Sequence, residues 1–589
     1  MADNGQLFGD GTRRSKGDQA RRYNLLAARL IAELIKSSLG PRGLEKMFVD
    51  IMGEVTVTKD GATFLRKIDV EHPAAKVLIE ASNAVDNEVG DGTTSVVVLA
   101  GALVQKAEEL LDMGIAPSTI ADGYFKGLDI ALASLHEISK EYDNTDRHTM
   151  QMLARTCLQS KALSYDDDFA GLAVDAICSI ANFGTKSIDI DDIKIEEKEG
   201  SILDAQLVRG IVIDKTIDSS AMPRAVQNAR IMLVNDELEG KRTKTEAEIR
   251  ITSPDQIKSY SDAQTLMIKS KVQHIIDSGA NVVFSRKGIN TLAQHLMTRA
   301  GIISVRRVKE NDLVWLAKAT GATISEKLDH DHDHVFHGHH AEHDHPVHSH
   351  HHDDDHYHHG DIDIKLGYAG WVFEKQVGDD KMVFVEGCKD PKAVTLLLRA
   401  NSKRTLDECH RSALDAISVL RDFIVRPSVV AGGGAAETAI AKVVREKASR
   451  IAGREQIVVQ KFAEALEEIP LTIARNAGMD VIDTLVQLRS GHSNGRASSY
   501  GVDAMERRVQ EMLPSVIEPT VVKEQVIKTA VEVTNLLVRV DDVLMAKPTM
   551  YTHTHANGAK HSHAGGDKEH QHDHFDRLGR QQRPRHHYY

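Results

Sequence analysis

Apolar residues recur every three or four positions at both ends of the chain, whereas the middle alternates short β-branched runs with helical stretches. The Leu-, Ala- and Ile-rich segment from about Asp18 predicts a helix that stops at Leu39-Gly40-Pro41, because Gly followed by Pro ends a helix. Val96, Val97, Leu99, Leu103, Ala107, Leu110 and Leu111 predict another that opens at Thr93. Leu406, Cys409, Ala413, Ile417, Leu420 and Ile424 form one stripe at ~100° per residue, which leaves Asp415 on the opposite, polar side with Asp407, Glu408 and Asp422. A carboxylate on such a side is most often simply solvated. In the middle, Leu207 to Asp214, Arg230 to Val234, Asn281 to Ser285 and Ile302 to Val308 read as strands, so the fold class is multidomain, α and α/β.

The polar punctuation between these elements carries the chemistry. Val89-Gly90-Asp91-Gly92-Thr93-Thr94-Ser95 places a flexible turn, one carboxylate and hydroxyls directly before an apolar helix. Free N–H groups and the positive end of the helix dipole would face that turn, an arrangement suited to a phosphate, and Asp91 offers oxygen to a hard cation such as Mg²⁺. The same residues also fit an ordinary Asp/Gly turn capping a helix. Val55-Thr56-Val57-Thr58 alternates like a strand and runs into Lys59-Asp60-Gly61-Ala62-Thr63, which could bring a second carboxylate to the ligand. A Walker-type P-loop is excluded, because Gly240-Lys241 is followed by Arg242 where Ser or Thr is required.

With those segments in hand, the chain resembles a group II chaperonin subunit, the family of the archaeal thermosome and the eukaryotic cytosolic chaperonin, and is closer to the archaeal branch. The resemblance is carried by LGPRGLEKM from Leu39, TKDGATFL from Thr58, EHPAAK from Glu71, VGDGTTS from Val89, VRRVK from Val305, LGYAG from Leu366, VEGCKDPKAV from Val385, AGGGAAE from Ala431, RNAGMD from Arg475 and VIEP from Val516. They follow family order from about residue 8 to 547.

The resemblance implies a Mg²⁺- and ATP-dependent folding ATPase, a subunit of a double ring that encloses non-native client proteins under a built-in lid. It implies an equatorial ATP-binding domain from 1–145 and 423–547, an intermediate domain from 146–213 and 366–422, and an apical domain at 214–365. The lid would lie at about 244–276, where Thr252-Ser253-Pro254-Asp255 starts a helix striped by Ile257, Tyr260, Ala263, Leu266, Met267, Val272 and Ile275. An ordinary packed helix fits that stripe equally. Residue by residue, Asp415 corresponds to the water-activating group, and Asp60 with Gly61 to the γ-phosphate side. Asp91 corresponds to the Mg²⁺ ligand, and Gly92, Thr93, Thr94 and Ser95 to the phosphate cradle. Leu39, Gly40 and Pro41 would lie along phosphates and ribose, Gly433 near the ribose, and Glu518 at its hydroxyls. Lys161 resembles a γ-phosphate sensor, although a lone Lys before an acidic run also suits a solvent-facing charge. Three positions depart from the family: Lys59 where Asn is usual, Ala431 where Pro is common, and Asp503-Ala504-Met505-Glu506-Arg507-Arg508 in place of a Thr-Gly turn beside the base.

Composition narrows the picture. A chain of 589 residues is too long for one core and suits about three domains. No apolar run reaches the ~20 residues needed to span a bilayer, and no signal-type stretch opens the chain, so a cytoplasmic protein with no membrane partner is expected. Cys157, Cys178, Cys388 and Cys409 lack metal or redox spacing and are expected as buried free thiols. A formal charge of −13 argues against nucleic acid as a partner.

Histidine is the remaining anomaly. Fifteen of the 31 His lie between His330 and His359, interleaved with Asp, and nine more between His553 and His587. The first group resembles an insertion, at 329–361, into a connection that is short in the family. With almost no apolar residues, this segment and the tail at 548–589 are expected to lack fixed structure. Imidazoles at the density of His330, His332, His334, His350, His351 and His352 would bind Zn²⁺ or Ni²⁺, though their spacing defines no single tetrahedral site. A solubilising, pH-titrating linker is the plainer reading of both. The runner-up function is accordingly a metal-binding, metal-storage or regulatory subunit on a chaperonin scaffold.

Overall fold

A computed structural model describes residues 13–159, 161, 167–239, 254–328, 365–389, 391–493, 499–545, 550–554 and 560–564. The chain opens with five helices, α1 (Asp18–Lys36), α2 (Gly61–Lys67), α3 (Pro73–Val89), α4 (Thr93–Asp112) and α5 (Pro117–Ile138). After them come α6 (Arg147–Leu158) and α7 (Asp167–Ile180), then α8 (Pro254–Asp277), α9 (Thr291–Arg299) and α10 (Glu310–Thr320) among the central strands. A long α11 (Lys403–Val425) leads into α12 (Ala435–Ala448), α13 (Glu455–Leu466), α14 (Glu468–Asn476), α15 (Val481–Ser493) and α16 (Thr520–Arg539).

Three hydrophobic cores organise these elements. The first joins both ends of the sequence: α4 is buried nearly all round by Val96, Leu99, Leu103 and Leu110, and α16 packs on it through Val522, Val526 and Ala530. A helix apolar on every side belongs at the centre of a bundle, which is where α4 lies. The second core lies under a seven-stranded mixed sheet covered by α8, α9 and α10. The third joins α6, α7 and α11 to a three-stranded sheet of Ile193–Glu199, Val394–Ala400 and Gln206–Val208.

The run Leu207 to Asp214, read above as one strand, is two. Gln206–Val208 belongs to the three-stranded sheet and Gly210–Ile213 to the seven-stranded one. Gly210 makes the step possible, since a Cβ there would lie 1.9 Å from the Val385 carbonyl oxygen.

Helix α8 also divides. Ile268, Val272 and Ile275 are buried in the second core, whereas Leu266 is 65 % exposed. The packed stretch is therefore the C-terminal half, and residues 244–253 of the expected lid lie outside the described residues. The histidines from His330 to His359, including His332, His334, His350, His351 and His352, lie outside them as well. Of the tail at 548–589, only two short stretches are described: Met550–Thr554 pairs antiparallel with Lys560–Ala564, setting His553 opposite His561, and these ten residues differ from the expectation of no fixed structure. Tyr551, Thr552 and Thr554 favour extended backbone. None of the four Cys forms a disulfide; Cys157 and Cys409 are buried as expected, whereas Cys178 and Cys388 are only partly buried. No helix among the described residues is long and apolar enough to cross a membrane.

Candidate nucleotide site

The turn between α3 and α4 is built for close approach. Gly90 ends α3 with φ 66° and Gly92 begins α4 with φ 83°, both in the left-handed region. A Cβ on Gly92 would also come 2.7 Å from Val526 Cγ2, so space as well as conformation requires glycine. No side chain caps α4 at Gly92, which leaves the positive helix end for an outside anion. Asp91 accepts from the Gly92 N–H at 2.7 Å and from the Cys157 thiol.

Asp60 caps α2 by accepting from the Thr63 N–H at 2.7 Å, and it also accepts from Thr93 Oγ1 at 3.0 Å. Gly61 lies against Thr94, where a Cβ would be 2.7 Å from Oγ1. The Asp60 loop and the α4 start thus form one wall. Burial opposes ionisation of Asp60, but the Lys161 charge and the bonds from Thr63 and Thr93 outweigh it and hold its pKa below the ordinary value.

Lys161 completes this wall instead of facing solvent. It is buried, and its Nζ donates to Asp415 Oδ2 at 2.5 Å. Despite burial its pKa is well above the usual value, because Asp415, Asp60 and Asp91 surround it. Asp415 likewise does not lie on a solvated face: α11 packs its polar side on α3 and the strand Val55–Thr58. Glu408 there accepts from Thr58 Oγ1 at 2.9 Å, Arg421 donates to the Glu88 carbonyl at 2.7 Å, and a Cβ on Gly90 would stand 2.3 Å from Ser418 Cβ. Burial raises the Asp415 pKa to about 7; Lys161 lowers it, while Asp60 and Asp91 push it up.

Two adjoining clefts open from this wall. The smaller, of about 390 Å³, is lined by Leu39, Gly40, Asp60, Asp91, Thr94 and Lys161. The larger, of about 820 Å³, shares Leu39, Gly40, Asp91 and Ser95 with it and extends past Pro41 and Gly433 to Ile473, Met505, Met512 and Glu518. Gly433 has φ 64°, and a Cβ on it would meet the Val502 carbonyl oxygen at 2.7 Å. Glu518 is placed by strand pairing, opposite Val430. The divergent residues Asp503, Ala504 and Met505 line the larger cleft, in a turn held by Asp503 Oδ1 accepting from the Met505 and Glu506 N–H groups.

Of the residues expected at the nucleotide site, Leu39, Gly40, Pro41, Asp60, Asp91, Gly92, Thr93, Thr94, Ser95, Lys161, Gly433 and Glu518 line the two clefts, while Asp415 reaches the wall through Lys161 and Gly61 through Thr94. The sequence reading missed Lys523, Glu437, Cys157 and the Thr58–Glu408 contact. None of these stands out in the sequence: Lys523 is one of several charged residues of its helix, with Glu524, Lys528, Glu532 and Arg539.

A charged wall at a helix start, two adjoining clefts beside it and a carboxylate brought by another core are the parts a nucleotide-hydrolysing protein requires. The profile of the TCP-1/cpn60 chaperonin family matches residues 31–548. The chain is 44% identical over 546 residues to thermosome subunit alpha of Archaeoglobus fulgidus, covering 92% of this chain and 94% of the relative. It is 44% identical over 547 residues to the thermosome subunit of Methanopyrus kandleri, and 42% identical over 546 residues to that of Pyrococcus horikoshii, with the same shares covered. The chain belongs to the TCP-1/cpn60 chaperonin family. It is an ATP-dependent chaperonin subunit of the double-ring kind, an ATPase that uses Mg²⁺ and binds non-native proteins, and a metal-storage role is not favoured.

Proposed function

We propose that ATP lies along the two clefts, with its phosphates at the α4 start and its base between Ile473 and Met505. The observation that carries this reading is the meeting of Lys161, Asp60, Asp91 and Asp415, from four separate segments, at one helix N-terminus. Leu39, Gly40 and Pro41 flank phosphates and ribose; Gly92, Thr93, Thr94 and Ser95 cradle the phosphates; Gly433 lets the backbone approach the sugar, and Glu518 meets its hydroxyls.

The donor set fits Mg²⁺, which is commonly held by one or two carboxylates together with substrate phosphates. Asp91 would hold it, with Asp60 beside the γ-phosphate. When bound, the ion supplies charge neutralisation of the phosphate oxygens. Asp415 orients and deprotonates the attacking water, and Lys161 exchanges its Asp415 partner for the γ-phosphate when nucleotide arrives. Because α11 belongs to a different core from α4, hydrolysis waits on the seating of one on the other.

In this reading the first core is the equatorial domain, the second the apical domain and the third the intermediate domain. The exposed N-terminal part of α8 belongs to a lid over a chamber for clients, and the chain works in the cytoplasm among identical or homologous subunits. The His-rich segments bind Zn²⁺ or Ni²⁺ apart from the ATP site; among the described residues no group of three or more His, Cys, Asp or Glu is arranged for a metal. Mg-ATP turnover and ATP affinity, measured together on the unaltered protein and on Asp415→Ala and Lys161→Met, test the site. Unchanged turnover in both variants would overturn it.

A further inference from the structure

Lys523 is enclosed at the Glu518 end of the larger cleft, between two carboxylates. Its Nζ lies 2.6 Å from Glu518 Oε2 and 2.7 Å from Glu437 Oε1. Three elements converge there: Glu437 from the first turn of α12, Lys523 from the first turns of α16, and Glu518 from the strand between. Lys523 and Glu437 are buried, and of the three Glu518 and Lys523 line the cleft while Glu437 lies behind them. The other Glu518 oxygen is turned to the glycine loop, since a Cβ on Gly432 would lie 2.8 Å from Oε1. Glu437 Oε2 is buried with no hydrogen-bond partner among the described atoms, so Glu437 has only Lys523 to answer its charge.

One ammonium thus serves two carboxylates. Without it, Glu437 and Glu518 would face each other in a buried space and one would take up a proton. An ionised carboxylate only accepts, which suits two sugar hydroxyls donating to it; a protonated one offers a donor where an acceptor is needed. We propose that Lys523 is a positioning residue that keeps Glu518 ionised and aimed into the cleft, and so sets how strongly the site selects a ribose diol over a deoxyribose. This rests on the reading of Glu518 as the group that meets the sugar.

The test compares ATP with 2′-deoxy-ATP as substrates of the full-length protein. Losing a charge-assisted hydrogen bond should raise the KM for ATP about tenfold in Lys523→Met. The KM for 2′-deoxy-ATP should move far less, so that the preference collapses, and the loss should fall on KM rather than kcat. Lys523→Arg should restore the preference, and Lys523→Met added to Glu518→Gln should cost no further preference. Burial holds the Glu518 pKa above its ordinary value; of the groups facing it, Glu437 from α12 and Asp91 from the turn before α4 push the same way, and only Lys523 from α16 favours its ionised form. The preference of Lys523→Met should therefore be regained on raising the pH, with a midpoint above that of the unaltered protein.

If Lys523→Met fails to assemble, Lys523→Gln, which removes the charge but keeps a polar side chain facing both carboxylates, takes its place. Equal KM increases for both nucleotides would reduce Lys523 to packing and overturn the proposal. If Glu518→Gln discriminates as well as the unaltered protein, the sugar reading itself fails. If Glu518→Gln loses the preference while Lys523→Met keeps it, the sugar reading stands and the role of Lys523 is refuted.

Discussion

Lys161 and Asp415 stand 254 positions apart in the chain and 2.5 Å apart in space, joined by Nζ and Oδ2. Lys161 follows α6 and Asp415 sits mid-way along α11, so the pair brings the water-activating candidate against the wall that Asp60 and Asp91 form. Two buried charges tolerate such a position only while they answer each other: removing one partner of a buried pair costs roughly 3–5 kcal/mol. The contact therefore links the seating of α11 to the charge state of the phosphate site.

Asp415→Ala should abolish ATP hydrolysis and leave ATP binding largely intact. The carboxylate is proposed to act on water and not on the nucleotide, so its loss falls on the transition state alone. Single-turnover hydrolysis and equilibrium titration on the same preparation measure the two separately. Parallel loss of both would place Asp415 among the binding groups.

The pH dependence of kcat/KM should rise through a midpoint near 7, because Asp415 has its pKa raised to about 7 and must be ionised to take a proton. Below that midpoint the acid is protonated and turnover falls. The Lys161 charge lowers the Asp415 pKa, so Lys161→Met should move the midpoint upward. A midpoint that stays in place, or moves down, would mean that another group governs this limb.

Much of the site was legible because it is local. Gly90, Asp91 and Gly92, and Asp60 with Gly61, announce turns before helices, and their glycines are needed for the reasons the sequence suggests. The burial of Asp415 was not legible: periodicity gives the side of α11 it occupies but not what covers that side, and the cover is the distant α3 and Val55–Thr58. Lys161 was hidden for the same reason, since the acidic run after it suggests solvent while its partners come from three other segments. Gly210 and the divided α8 show a further limit. A continuous apolar pattern cannot reveal where a chain passes from one sheet to another, or where a helix leaves its core.

Asp91→Ala should weaken Mg²⁺-dependent nucleotide binding itself, unlike Asp415→Ala. A carboxylate that holds the ion contributes in the ground state as well as the transition state, so KM and Kd should rise together. A loss of about tenfold or more is expected for a charge-assisted contact. Titrations with and without Mg²⁺ check it. Unchanged Mg-ATP affinity would remove Asp91 from the metal site.

Truncating the proposed lid should preserve ring assembly and basal ATP hydrolysis while ending ATP-dependent enclosure of clients. The cut must spare the packed half of α8: Ile268, Val272 and Ile275 are core residues, and Lys271 donates to Asp236 at 2.6 Å. Losing such side chains costs about 2–5 kcal/mol each, which would confuse a lid defect with unfolding. Replacing 244–263 by a short Gly/Ser link avoids this. Protease protection of a trapped client is the readout; a truncated protein that still shields its client without an added cap would show that the segment is no lid.

Transition metals should bind at the His-rich segments without coupling to the ATP cycle. Fifteen His between His330 and His359 and nine between His553 and His587 lie apart from the nucleotide clefts in sequence, and imidazole suits Zn²⁺ or Ni²⁺ rather than Mg²⁺. The paired strands of the tail set His553 opposite His561, which brings two of these positions together. Protons compete with the metal for imidazole, so affinity should fall as the pH drops through the ~6.5 of a free imidazole. Zn²⁺ calorimetry on the intact protein and on proteins lacking 330–359, 553–587 or both separates the contributions. Stoichiometry should fall with each deletion while the Mg-ATPase rate stays level; unchanged stoichiometry after both would dismiss the sites, and a Zn²⁺-dependent ATPase rate lost with the deletions would make the metal a regulator of the ring.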